Sequence, residues 1–224
     1  MNLAICIPIS WDYVPTPFLV SLTQLLRPGT LKAIRSFGIE RYFYLINRAF
    51  PLDYNRNTLV KKALELDADW VLFLDADMTF PPDLVPALLR DSLASGAVIV
   101  SACYFKKLPP HPCVSAVRKT PDDPQLLTPI EAGNNGLAEC DVIGLGAALI
   151  HCSVFDSIPY PWFEYEVYQK TGERTVTEDV PFCGKAKEAG FSILTDTRLV
   201  CGHIRQMEID DSHWRACRES ALGK

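Results

Sequence analysis

Three short stretches of this chain bring together residue types that bind cations and move protons. Asp75-Ala76-Asp77 sets two carboxylates one residue apart, Thr177-Glu178-Asp179 sets two more side by side, and Cys201-Gly202-His203 adds an imidazole. Carboxylate oxygens with one imidazole nitrogen suit manganese or magnesium, hard cations that also hold phosphate. Asp75, Asp77 and His203 are therefore the candidate metal ligands. Asp179, beside such a site, is a candidate general base toward a hydroxyl, with Glu178 next to it.

These residues need elements that deliver them to one place. Trp70-Val71-Leu72-Phe73-Leu74 carries no charge and reads as a strand buried on both faces, ended by Asp75 and then by Pro81-Pro82. The carboxyl end of such a strand is where an α/β sheet binds ligands. Before it come a strand over Leu3–Ile9, a helix over Phe18–Leu26 closed by Arg27-Pro28-Gly29, a strand over Arg41–Ile46 and an amphipathic helix over Asn55–Asp67. After it come a helix over Pro82–Ser95 and a strand over Ala97–Ala102. This alternation predicts βαβ units and a mainly parallel sheet. Beyond Tyr104 the spacing predicts short antiparallel strands at Val114–Val117, Glu139–Ile143 and Ala147–Ile150, with Gly144-Leu145-Gly146 as a tight turn. A helix over Asp179–Ala189 ends at Gly190, and strands at Ile193-Leu194 and Leu199–Cys201 close the domain. Arg205–Lys224 reads as a polar tail with one terminal helix.

The chain of 224 residues is long enough for one well-buried α/β domain. A formal charge of −5 argues against non-specific nucleic-acid binding, which is mostly electrostatic. No stretch approaches the roughly 20 apolar residues that span a bilayer, and Met1–Pro8 lacks the basic region and the long apolar region of a secretion signal. The eight cysteines form no Cys-x-x-Cys pair, and five of them (Cys6, Cys103, Cys152, Cys183 and Cys201) lie in apolar runs. They read as buried free thiols of a cytoplasmic protein.

Taken in order, Ala68–Met78, the Thr177–Cys183 segment and Cys201-Gly202-His203 resemble the GT-A-type glycosyltransferases, in particular glycosyltransferase family 2 and its small bacterial and phage relatives. Tyr54-Asn55-Arg56-Asn57 and Gly144-Leu145-Gly146 ahead of Phe155 and Pro161-Trp162-Phe163 add to the likeness, which covers roughly residues 3–204. The resemblance implies a Rossmann-like GT-A fold in a single domain over 1–204. Within it, 1–104 would be the nucleotide-binding half and 105–204 the acceptor and metal-completing half, with 205–224 as a tail. It implies a nucleoside-diphosphate sugar donor, foremost a UDP-sugar, and inverting transfer to an acceptor hydroxyl. The acceptor stays open between a glycan, a lipid-linked sugar, a protein and a modified nucleic-acid base. Asp77 would bind the metal, Asp75 the ribose, the sugar or a metal-bound water, and His203 would complete the metal site. Asp179 would be the base, with Glu178 assisting or binding acceptor. Pro8 and Ser10 would lie against the nucleotide base, and Arg56 would reach the nucleotide or its phosphates. Gly144, Gly146 and Trp162 would shape the sugar and acceptor pocket. The chain departs from the family in having no clear acidic residue on the second strand to grip a uracil, with Glu40 and Asp53 on either side of it. It also lacks the Gln-x-x-Arg-Trp segment of processive synthases.

Other chemistries fit parts of the pattern. Leu72–Thr79 reads as an apolar strand followed by Asp-x-Asp-x-Thr, the opening of a haloacid dehalogenase-type phosphohydrolase with Asp75 as nucleophile. Against it, two strands precede the motif and the late Gly-Asp-x-x-x-Asp is missing. A sugar nucleotidyltransferase would need a Gly-rich basic loop near residue 10, which is absent. A non-catalytic nucleotide-sugar- or glycan-binding module would not need Asp179.

Overall fold

A computed structural model describes residues 1–118, 127–133, 136–167 and 174–206, with Arg215 and Arg218. Its elements run β1 Asn2–Ile9, α1 Thr16–Leu25, α2 Pro28–Ser36, β2 Arg41–Arg48, α3 Leu52–Glu65, β3 Trp70–Leu74, β4 Met78–Thr79, α4 Leu84–Ser95 and β5 Ile99–Cys103. They continue β6 Ala116–Arg118, β7 Leu127–Pro129, β8 Leu137–Glu139, β9 Ala147–His151, α5 Ser153–Ser157, β10 Glu166–Val167, β11 Arg174–Val176, α6 Asp179–Glu188, β12 Ile193–Val200 and β13 Gly202–His203. Among the described residues, seven strands form the central sheet in the order β2-β1-β3-β9-β5-β12-β8. β2, β1, β3, β5 and β12 share one direction, and β9 and β8 oppose it. This is the mixed, mostly parallel sheet flanked by helices expected of a Rossmann-like GT-A fold.

β3 explains why the core has two halves. Successive side chains of a strand point to opposite faces, so Trp70, Leu72 and Leu74 enter one apolar cluster while Val71 and Phe73 enter the other. The first cluster is closed by Phe18 and Leu25 of α1, Ile34 of α2 and Leu84, Val85 and Leu88 of α4. The second is closed by Leu59, Val60 and Ala63 of α3 and Phe182 and Cys183 of α6, with Phe155, Trp162 and Phe163 around them. All five residues of β3 are buried, as its uninterrupted apolar run requires.

Several expectations are corrected. Arg27-Pro28-Gly29 closes α1 but also opens α2, because proline is favoured at a helix's first position. Glu139–Ile143 is not a strand: β8 ends at Glu139, and the chain then turns with only a single bridge from Val142 to Ala116. The two closing strands are one, β12, whose register against β5 shifts between Asp196 and Val200. The proposed halves are interleaved, since β9 lies between β3 and β5. Most of the 205–224 tail, with Cys217, lies outside the described residues. The seven described cysteines are buried, and none is in a disulfide among the described residues. Among the described residues no helix is long and apolar enough to cross a membrane.

Candidate active site

The carboxyl ends of β1, β3, β5 and β12 lie along one edge of the sheet, and the residues that follow them meet there. Asp75 leaves β3 with its N–H donating to the Gly146 carbonyl at 2.9 Å, which ties it to the start of β9. Three residues on, Met78-Thr79 pairs antiparallel with Gly202-His203, with His203 opposite Met78. This clip carries the imidazole from the end of β12 to Asp77, and Ile204 N–H closes it on the Asp77 carbonyl at 2.7 Å. Gly202 is required for the approach: a Cβ there would lie 2.4 Å from Thr79 Oγ1. Gly146 is equally constrained, with Met78 Sδ 2.3 Å and Asp75 Oδ2 3.1 Å from where its Cβ would be.

The two aspartates of Asp75-Ala76-Asp77 face different surroundings. Asp75 looks inward, where Arg56 Nη2 donates to both of its oxygens, at 2.9 and 3.0 Å. Arg56 Nε donates to Glu178 Oε1 at 3.0 Å, so one guanidinium joins the end of β3 to the start of α6. Arg56 and Glu178 are only 2% and 3% exposed, and the guanidinium also lies 5.0 Å from the centre of the Phe73 ring. Burial pushes the Asp75 carboxyl above the usual range, against the pull of Arg56. Asp77 looks outward. Its Oδ2 accepts from Lys107 Nζ at 2.5 Å and lies 3.6 Å from His203 Nε2. Burial raises its carboxyl, but the hydrogen bonds and charges of His203 and Lys107 outweigh that and hold it down to about 2.

Asp179 begins α6 beside Glu178. Its Oδ1 accepts from the Thr177 hydroxyl and from the Val180 N–H. Burial, reinforced by the charge of Glu178, pushes its carboxyl up to about 6. Tyr104 lies at the end of β5, where burial and the charges of Asp75 and Asp179 keep its phenol protonated far beyond the usual range. Its hydroxyl oxygen accepts from Gly146 N–H at 3.2 Å.

A cleft of about 300 Å³ opens in front of Asp77, lined by Trp11, Tyr13, Pro15, Lys107 and Arg205 among others. Trp11 and Tyr13, both about half exposed, come from the loop after β1, and Tyr13 is fixed by donating to Gln206 Oε1 at 2.6 Å. The aromatic wall is thus supplied by Trp11 and Tyr13, whereas Pro8 is buried within β1 and Ser10 is exposed outside this lining.

Other expected site residues also sit elsewhere. Arg56 is not free to reach a phosphate, because two of its nitrogens are committed to Asp75 and Glu178 inside the core. Trp162 is a core anchor, 8% exposed, with its indole N–H donating to the Phe155 carbonyl at 2.9 Å. Gly144 packs beneath Tyr104, whose hydroxyl lies 2.0 Å from where a Cβ would be. Asp77 and His203 meet, but Asp75 does not join them, and among the described residues no three His, Cys, Asp or Glu side chains converge on a metal-sized site. Asp77 and His203 are the donor pair that remains, and Asp77 is also ion-paired with Lys107. His203 Nδ1 donates to the Phe105 carbonyl at 2.8 Å, which turns Nε2 toward Asp77.

The polar run at the start of α3 holds more than sequence reasoning assigned to it. Asn55 Nδ2 donates to the carbonyls of Ile9, Asn47 and Ala49 at 3.1–3.2 Å, fastening the ends of β1 and β2. Asn57 Oδ1 accepts from the Trp162 and Phe163 N–H groups, fastening the loop after α5. Arg56 lies between them. The signal was present in the spacing: Arg56 is three, four and seven residues before Leu59, Val60 and Ala63, on the apolar face of the helix. Lys107 has no comparable signal and is placed by the tertiary structure alone.

No protein-family model and no curated protein matches this chain. Among solved structures it is similar to A197 from STIV, at 22% identity and a TM-score of 0.61 over 92% of this chain and 87% of that one. It is also similar to GalNAc-T7 solved with UDP, GalNAc and Mn2+, at 12% identity and a TM-score of 0.55 over 93% of this chain. The match covers 44% of the GalNAc-T7 chain, less than half its length. At these identities the likeness is one of fold: the chain is a compact α/β domain with a GT-A-like architecture.

Proposed function

We propose that this protein is a glycosyltransferase that moves a sugar from a nucleoside-diphosphate sugar to an acceptor hydroxyl. The observation that carries the reading is the junction made by Arg56. It ties the strand end bearing Asp75-Ala76-Asp77 to the helix start bearing Glu178-Asp179, beside a cleft with aromatic and cationic walls. Trp11 and Tyr13 offer faces on which a nucleobase stacks, and Lys107 and Arg205 offer charge for a diphosphate. Asp77 and His203 Nε2 are the residues that would hold manganese or magnesium, which would supply positive charge against the leaving diphosphate. Asp179 would take the proton of the acceptor hydroxyl. A carboxyl held at about 6 is ionised at neutral pH yet more basic than an ordinary aspartate, as a general base should be. Thr177, donating to the same carboxyl, orients it.

The phosphohydrolase reading fits less well, because both oxygens of its nucleophile, Asp75, accept from a buried arginine. The test is release of UDP, GDP or TDP from sugar nucleotides with manganese present. Failure to bind or turn over any sugar nucleotide, together with hydrolysis of p-nitrophenyl phosphate, would overturn the proposal in favour of the phosphohydrolase.

A further inference from the structure

One lateral edge of the sheet carries a feature that the site does not use. β2 is an edge strand, paired along its full length with β1, and no other described strand pairs with it. An open edge presents unpaired N–H and C=O groups, and soluble proteins blunt such edges with bulges, prolines, lysines or a short length. β2 runs Arg41–Arg48 without a register shift and contains no proline or lysine, and its only charges are the arginines at its two ends, which leaves the middle of the edge unblunted. Of its four exposed positions two are apolar, Tyr44 and Ile46, and two are the arginines at its ends, Arg41 and Arg48. Tyr44 and Ile46 are 39% and 58% exposed, and the Tyr44 ring packs edge-on against Tyr42 at 5.9 Å.

Self-pairing about a two-fold axis perpendicular to the sheet keeps each face on its own side, so residues of equal parity pair. Of the central registers this allows, only the one centred on Tyr44 sets opposite charges against each other. It places Glu40 across from the second copy's Arg48, Tyr42 across from Ile46, and Tyr44 across from Tyr44. Centring on Phe43 puts Glu40 across from Ile46, and centring on Leu45 puts Tyr42 across from Arg48. Glu40 and Arg48 are both exposed at the two ends of the strand. Arg48 also pairs with Asp12 of its own chain, but a guanidinium has five donors and serves both carboxylates.

We propose that two copies of this chain associate through antiparallel β2–β2 pairing in the Tyr44-centred register, making one continuous sheet with Glu40–Arg48 pairs at both ends of the interface. The two sites then lie on separate protomers, so the proposal stands or falls independently of the chemistry above.

Sedimentation velocity from micromolar to sub-millimolar concentration tests it. The wild type is expected to be a dimer and Ile46→Lys a monomer. Glu40→Arg and Arg48→Glu, each placing like charges across the interface twice, are expected to weaken the dimer about tenfold. The double variant Glu40→Arg/Arg48→Glu should recover wild-type association. Retained circular dichroism in the single variants separates lost association from lost folding. A wild type that stays monomeric, a dimer indifferent to Ile46→Lys, or a double variant that fails to recover would each overturn the proposal. So would a monomer with exchange-protected β2 amides, since another segment would then cover the edge.

Discussion

Asp75 and Asp77 are separated by a single alanine, yet they belong to different parts of the protein. Asp75 is one end of an ion network, Asp75–Arg56–Glu178, whose arginine and glutamate are almost wholly buried although the Asp75 carboxylate itself is 21% exposed. Asp77 is one end of a wetter group, with Lys107 and His203, each about a quarter exposed, at the mouth of a cleft. The first arrangement resists change because removing one partner strands a buried charge. The second can exchange partners with a ligand, because the partners of Asp77, unlike Arg56, already meet solvent. A two-carboxylate motif thus divides into an inner half that builds the site and an outer half that faces what binds there.

Breaking the inner half should have the largest effect. Arg56→Met leaves Glu178 buried and Asp75 partly buried without their partner, and a stability loss of about 3–5 kcal/mol is expected in chemical denaturation. A loss below about 1 kcal/mol, the size of an exposed pair, would remove the contrast between the halves. Asp179→Asn should lower turnover by about 10²–10⁴ while leaving sugar-nucleotide affinity nearly unchanged in calorimetry. Asp77→Ala should instead abolish the manganese-dependent part of nucleotide binding and leave the fold intact. Equal loss of binding in these two variants would show that the assigned roles do not separate.

Smaller effects sharpen the comparison. Asp179 must be ionised to accept a proton, so kcat/KM should fall as pH drops through about 6, where its carboxyl titrates. A profile flat between about pH 5 and 8 would point to another base. Asp77, held down to about 2, should contribute no inflection in that window. Lys107→Ala should change manganese dependence by only a few-fold. Lower manganese requirement means that the ammonium competes for Asp77; a higher one means that Lys107 binds the diphosphate with the metal.

Much of the fold was legible because it rests on local pattern. The apolar run of β3, the amphipathic α3 and the proline after the carboxylates each declare themselves within a few residues. The position of Asp75 at a strand's carboxyl end follows from them. Three features were not local. α2 follows α1 so closely that its opening proline reads as a stop. β9 slips antiparallel between β3 and β5, a choice of neighbour that no spacing within the strand encodes. Arg56 reads in the sequence as a residue that reaches the nucleotide or its phosphates, and Asn55 and Asn57 carry no role there, although Arg56 shares a face with Leu59, Val60 and Ala63.

The sequence by itself determined the mostly parallel α/β architecture and the kinds of residue available to the site. Hydrophobic periodicity and chain punctuation act over a few residues and can be read in one dimension. Only the tertiary structure decided what each carboxylate does. Asp75 and Asp77 are the same chemical group in the same motif. Their difference comes from an arginine on α3 that turns one inward, and from a lysine after β5 and a histidine after β12 that hold the other at the cleft. Charges acquire their roles from neighbours distant in sequence, because burial and pairing, rather than residue type, set the cost of ionisation.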